Sequence, residues 1–181
     1  IQMKNVNGKE DTAFTVQYDF VMPRKFHLTY INEKGAEELA LVIHRSSIGA
    51  IERLVAYLIE KYAGAFPTWL APVQAIVLPV SDKHQGYAQQ VVDHLREEHV
   101  RVELNAKNEP LNARVRDAEM QKVPYILVVG DKEADSGLVS VRRRHSKDTQ
   151  IRKLEEFTRE ILQEISSRAL PLERGDSNVT S

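Results

Sequence analysis

Apolar and polar residues alternate through Phe14-Thr15-Val16-Gln17-Tyr18-Asp19-Phe20, the two-residue period of a strand with one face on a core. Residues 28–31 repeat the signal. Asn32-Glu33-Lys34-Gly35 then reads as a turn, its glycine free to take a positive φ, leading into a third strand over 39–43. Together these predict an antiparallel meander. From residue 48 the period lengthens: Ile48, Ile51, Leu54, Val55, Leu58, Ile59 and Tyr62 fall on one helical face. Ser46 or Ser47 is available as its cap, and Gly64 as its end. The segment Phe66-Pro67-Thr68-Trp69-Leu70-Ala71-Pro72 carries two prolines and reads as a connector, so a first domain is expected over residues 1–72.

Beyond residue 72 short apolar runs alternate with helical stripes. Strands are predicted over 75–80, 100–104, 124–129 and 138–141, the third apolar throughout and so central and covered on both faces. Helices are predicted from a cap at Ser81 or Asp82 to about residue 98, over 110–121 with Pro110 in the first turn, and over 148–167. The last carries Ile151, Leu154, Phe157, Ile161 and Ile165 on one side. This order predicts an α/β domain over residues 73–168, with a mostly parallel sheet and three helices. Residues 169–181 read as a disordered tail.

Composition narrows the chemistry more than it defines it. The 181 residues carry a formal net charge of −1, so no bulk attraction to nucleic acid follows, although a local basic patch remains open. The tightest such patch is Arg142-Arg143-Arg144-His145. The absence of cysteine excludes disulfides and cysteine nucleophiles from this chain. No apolar run approaches the roughly 18 residues of a membrane span, and the first residues lack the apolar core of a signal peptide. Neither glycine-rich phosphate-cradling signature occurs, and the six histidines show no metal-ligand spacing within a helix. Pattern alone stops at a soluble two-domain protein, α+β followed by α/β.

Specific words go further. Val42-Ile43-His44-Arg45-Ser46-Ser47-Ile48-Gly49-Ala50-Ile51-Glu52-Arg53 resembles motif 3 of class II aminoacyl-tRNA synthetases, in the form carried by the threonyl-tRNA synthetase family. Tyr62-Ala63-Gly64-Ala65-Phe66-Pro67-Thr68-Trp69-Leu70-Ala71-Pro72-Val73-Gln74 resembles the domain junction of the same family. Val16-Gln17-Tyr18-Asp19-Phe20 and Val123-Pro124-Tyr125-Ile126-Leu127-Val128-Val129-Gly130-Asp131-Lys132-Glu133 are similar to further family segments, and the likeness runs in order to about Ala169.

The resemblance implies the α+β end of a class II catalytic domain (an antiparallel sheet plus the motif 3 helix), followed by an α/β anticodon-binding domain. It implies a threonine–tRNA ligase that joins threonine to ATP as an adenylate and passes it to threonine tRNA. Arg53 is then the arginine that stabilises charge on ATP, with Thr15 and Gln17 lining the adenylate pocket. His44 is one ligand of a zinc ion that takes the amino and hydroxyl groups of threonine, a second contact that valine lacks. The other zinc ligands and class II motifs 1 and 2 belong upstream. The chain starts at Ile1, reads as the later part of a longer protein, and is not expected to be catalytic alone. Asn108, Lys122, Glu133 and Arg142 are the implied anticodon contacts, supplying donors and acceptors to unstacked loop bases. Zinc, ATP with magnesium, threonine, threonine tRNA and a second copy of the chain are the implied cofactors and partners, in the cytoplasm and without a membrane.

Plainer readings stand beside these: Arg53 as a solvated helix arginine, His44 as a strand-end histidine, and Thr15 and Gln17 as outer-face polar residues. Asn108 can equally cap the next helix, Glu133 can serve a turn after Gly130, and Arg142 can mark a solvated strand end. Thr12, Ala50, His99, Asn112 and Lys122 stand where many family members carry glutamine, serine, glycine, glycine and arginine. The alternative function is a non-catalytic RNA-binding or accessory protein that keeps the anticodon-binding fold. Prolyl and glycyl synthetases share the domain order, but His44 and the junction segment argue against them.

Overall fold

Residues 1–5, 7–146 and 148–170 are described by the computed structural model, in which the chain divides into two units, Ile1–Ala63 and Gly64–Ser181. The tail expected over 169–181 lies, beyond residue 170, outside the described residues.

In the first unit, β1 (Gln2–Lys4) and β2 (Glu10–Thr12) form a hairpin whose turn is tied by Asn5, its Oδ1 accepting the Asn7 and Lys9 amides at 3.0 Å. The next strand, β3 (Thr15–Asp19), does not enter the expected meander. The run read as one strand over 39–43 is broken instead. A short helix α1 (Val21–Phe26) and a hairpin of β4 (Thr29–Ile31) and β5 (Glu37–Leu39) come first, and β6 (Val42–Ser46) then returns to pair antiparallel with β3. The break follows from bonding: Leu39 pairs with Thr29 and the Ala40 amide turns back to the Leu28 carbonyl, so Val42 can start afresh against Asp19. Helix α2 (Ile51–Tyr62) carries the predicted stripe but starts after both candidate caps. Ser46 is the last residue of β6 and gives its hydroxyl to the Ile48 carbonyl, and Ala50 caps without a side-chain bond. Pro23 is the one buried residue among those described in this unit.

The second unit is built on β7 (Ala75–Pro79), β8 (Val102–Leu104), β9 (Tyr125–Val129), β10 (Leu138–Arg143) and β11 (Thr149–Lys153), in the order β11-β10-β9-β7-β8. β7 pairs parallel with β8 and β9, whereas β10 runs antiparallel to both β9 and β11. The sheet is therefore mixed, where a mostly parallel one was expected. The expectation of three helices also changes, because α3 (Gln85–Glu97) and α4 (Leu111–Met120) are joined by a six-residue α5 (Asp131–Ser136) and by α6 (Leu154–Ser167). The periodicity predicts residues 149–153 as the start of that last helix. They pair instead as β11, Ile151 opposite Ser140. Pro110 sits one position earlier than predicted, as the cap of α4.

Alternation along the strands makes two apolar layers. Ala75, Val77, Leu127, Val129, Val139 and Val141 face α3 and α6, where Val91, Leu95, Phe157 and Ile161 close the larger core. Ile76, Leu78 and Ile126 face the other way onto Ala118, Leu111 and Val115 of α4. Each fully buried aliphatic or aromatic side chain here is worth about 1.5–3 kcal/mol relative to exposure. The proline-rich segment over 64–72 is held on this unit by named bonds. Arg101 donates to the Trp69 carbonyl at 2.8 Å and to Ala71 at 2.9 Å, the buried Gln74 donates to Thr68 at 3.0 Å, and Arg144 donates to Phe66 at 2.7 Å.

Candidate nucleic-acid interface

α4 packs on its face of the sheet over β7 and β9. Ser140 lies opposite Val128, and Arg142 opposite Ile126, so both side chains emerge on the α4 face, one strand further along the sheet. Beyond them on β11, Ile151 faces Ser140 and is 61% exposed. Val128, half-buried where its neighbours Leu127 and Val129 are fully buried, marks the start of this strip. Val128, Ser140, Arg142, Thr149 and Ile151 thus line a mixed strip, in which the apolar Val128 and Ile151 flank Ser140.

Glu133 stands at one end of the strip. Its Oε2 accepts the Gly130 amide at 3.0 Å and its Oε1 the Ser140 hydroxyl at 2.8 Å. Burial works to raise its pKa, but these donors outweigh it and hold the carboxyl below the usual range. Ser140 and Arg142 are two residues apart on one strand, about 7 Å. Lys122, just past the end of α4, lines a hollow together with Glu119, Arg142, Arg144 and His145. The structure therefore brings Lys122, Glu133 and Arg142 to one face. Asn108 is elsewhere: it precedes α4, in a second hollow between the loops that follow β7 and β8. α4 is ten residues, about 15 Å, long, so Asn108 and Lys122 sit at its opposite ends. A ligand touching all four residues must be extended, as a single strand is.

Arg142, Arg143 and Arg144 all border the hollow that Lys122 and His145 line, yet each is engaged by a different partner. Arg142 forms an ion pair with Glu119 of α4. Arg143 crosses to the other face, bonding Glu164 at 3.0 Å and lying over the Tyr125 ring at 5.5 Å. Arg144 donates to the Lys122, Ala65 and Phe66 carbonyls at 2.7, 3.2 and 2.7 Å, a clamp for backbone. Of the three, Arg142 faces the strip. Ser140, which holds Glu133, was missed by sequence reasoning, since a serine inside a strand gives no signal before its neighbours in space are known.

In the first unit the β3–β6 register places Thr15, Gln17 and Asp19 opposite Ser46, His44 and Val42, so Thr15, Gln17 and His44 share one face of the ribbon. Asp19 was not foreseen. Its Oδ1 accepts the Val21 and Met22 amides at the start of α1, and its Oδ2 lies 2.8 Å from Nε2 of His44. The Met22 amide, with His44 and the Val21 amide, keeps this carboxyl below its usual range. An ionised carboxylate only accepts, so Nε2 of His44 donates to it, and Nδ1 is the nitrogen that bears the lone pair whenever the ring is neutral. Among the described residues no group of three or more His, Asp or Glu is placed to hold a metal ion. Arg53 donates from Nη1 to the Thr12 carbonyl at 3.3 Å, beside a mainly apolar hollow lined by Met3, Phe14, Ile48 and Leu54. No helix among the described residues is long and apolar enough to cross a membrane.

The threonine–tRNA ligase of Clostridium botulinum (strain Eklund 17B / Type B) is 51% identical over 168 residues, which is 93% of this chain and 26% of that protein. The threonine–tRNA ligase of Listeria monocytogenes serovar 1/2a is 47% identical over 167 residues, again 26% of its length. The chain thus spans about a quarter of these relatives. The crystal structure of the RNA binding domain of threonyl-tRNA synthetase from Cryptosporidium parvum Iowa II superposes with a TM-score of 0.75 at 28% identity, covering 94% of this chain and 42% of that one. A family model described as the anticodon binding domain matches residues 74–164, half of the chain and nearly all of the described second unit, and by that match the chain belongs to the anticodon-binding domain family.

Proposed function

We propose that this chain is the C-terminal part of a threonine–tRNA ligase, and that its second unit reads the anticodon of threonine tRNA. The observation that carries it is the strip over β9, β10 and β11, where Glu133 and Arg142 stand beside the exposed apolar Ile151 and the half-buried Val128, close to Lys122. Sequence-specific RNA recognition takes unstacked bases, which need a flat apolar surface for their faces and fixed donors and acceptors for their edges. Arg142 supplies a forked donor once it exchanges Glu119 for a base or phosphate, and Glu133 retains lone pairs for base N–H groups. Relatives of this name, about half identical across nearly the whole chain, support the same conclusion.

For the first unit, the proposal is that Arg53 faces ATP with its magnesium, and that Thr15 and Gln17 line the adenylate pocket. His44 is proposed as one zinc ligand through Nδ1, with Asp19 orienting the ring as carboxylates do for metal-bound histidines. The chain holds no cysteine, and the remaining ligands would lie outside it. The zinc would supply a Lewis-acid contact that selects threonine. The exposed faces of this unit, with Val16, Tyr18, Ile43, Ile51 and Ile59 each about half or more exposed, fit a piece of a larger cytoplasmic enzyme that works as a homodimer.

The test is binding of the chain to the anticodon stem-loop of threonine tRNA at one stated salt concentration, against loops altered at the second and third letters. The parent is expected to discriminate between loops, and Arg142→Ala to lose about 1–3 kcal/mol of that discrimination. Equal weak binding to every loop would refute anticodon reading. A non-catalytic RNA-binding protein would also bind, and is separated by whether the full-length protein charges tRNA.

A further inference from the structure

Arg114 lies one turn into α4 and is 5% exposed, yet neither of its bonds goes to a carboxylate. Its Nε donates to the Glu109 carbonyl at 3.1 Å and its Nη1 to the Asn105 carbonyl at 3.0 Å. Removing a guanidinium from water is costly, and carbonyl acceptors compensate less than an anion does. A fold that needed only to fill this space would do so with an apolar side chain. The two carbonyls are the ends of the loop over 105–109, so the side chain closes that loop like a clasp.

The rest of the loop is equally constrained. The Asn105 amide continues the sheet to the Val77 carbonyl at 3.0 Å, Asn105 Oδ1 accepts the Lys107 amide at 3.2 Å, and the Glu109 amide bonds the Lys107 carbonyl at 2.8 Å. Asn108 is held inside this frame, exposed like its neighbours Lys107 and Glu109, in the hollow that Arg114 itself lines. The hollow lies between the loops leaving β7 and β8, which depart to opposite faces of the sheet, α3 on one and α4 on the other. Such a switch point opens a crevice at the carboxyl ends of the strands, where ligands bind.

We propose that Arg114 is a positioning residue for nucleic-acid recognition: by joining the Asn105 and Glu109 carbonyls it holds the loop in the shape that presents Asn108 to an unstacked base. The inference rests on the anticodon-reading role of the second unit. A loop ordered before its ligand arrives does not lose that freedom on binding, and Asn108 gains affinity it could not have on a mobile loop. A lysine keeps the charge but has no rigid fork to reach both carbonyls at once.

A double-mutant cycle tests this on the full chain. Affinity for the anticodon stem-loop is measured at fixed salt for the parent, Asn108→Ala, Arg114→Lys and the double variant, with thermal unfolding of each. Arg114→Lys is expected to cost about tenfold in the parent and little further in Asn108→Ala, since residues acting as one unit are not additive. Amide exchange over 106–109 should quicken in Arg114→Lys while β9 stays protected. Equal losses in both backgrounds would overturn the inference, because Arg114 would then act on the RNA directly or through the fold as a whole. So would an Asn108→Ala variant that binds like the parent while Arg142→Ala binds weakly; anticodon reading would then survive without this role for Arg114. A parent chain that discriminates between no loops removes both. Where Arg114→Lys does not fold, Arg114→Met, which removes the buried charge along with its bonds, supplies the cycle.

Discussion

Glu133 shows how one side chain serves two ends. Its carboxylate bonds the Gly130 amide at the start of α5 and the Ser140 hydroxyl on β10, which fixes it beside the strip without using all its lone pairs. Its folded pKa lies below the unfolded value of about 4.3. The stabilisation from these bonds is therefore complete above that value and is lost as pH falls through the lower folded one. An NMR titration of the Glu133 carboxyl should give a midpoint below that of an ordinary glutamate, and Ser140→Ala should move it upward. A midpoint indifferent to Ser140→Ala would mean that Ser140 does not hold the carboxylate. Arg142, Arg143 and Arg144 teach the complementary lesson: three identical neighbours have three different partners, because β10 turns Arg142 and Arg143 to opposite faces and ends before Arg144.

At the scale of elements, the turn from α5 into β10 decides whether Glu133 and Ser140 meet. α5 ends at Gly137, whose φ of +64° is the left-handed conformation that a Cβ disfavours. A Cβ there would meet nothing within 4 Å, so the effect of Gly137→Ala isolates the backbone term. The substitution should cost about 1 kcal/mol in denaturant unfolding. A change near zero would mean that the turn relaxes without strain. β11 is the element whose identity matters most to the site, since as a helix it would have left the strip without Thr149 and Ile151.

Across the whole chain the two units differ in what stabilises them. The second surrounds its sheet with two apolar layers, while the first buries Pro23 alone among its described residues and leaves the stripe of α2 without a buried member. Regions with few buried contacts open most readily. Limited proteolysis of the chain should therefore cut within residues 1–63 before it cuts between β7 and β9. First cleavage inside the second unit would contradict this ranking.

What the sequence determined by itself were features written in short-range pattern. The stripe of α2, the central apolar strand β9 and the order of strands and helices from residue 75 to 129 follow from periods of 3.6 and 2 that any reader can count. The words around His44, Arg53 and Tyr62–Gln74 carried the family likeness without a fold. Tertiary structure decided the rest. Residues 149–153 were helical by their stripe and became a strand because β10 offered them an unpaired edge. The run over 39–43 was split because its two halves found different partners. Asp19 beside His44, Ser140 beside Glu133, and Arg114 across the loop of Asn108 all depend on chain segments meeting, and such contacts leave no local trace. Periodicity records which face of an element is apolar; only the assembled sheet determines which side chains on that face end up beside one another.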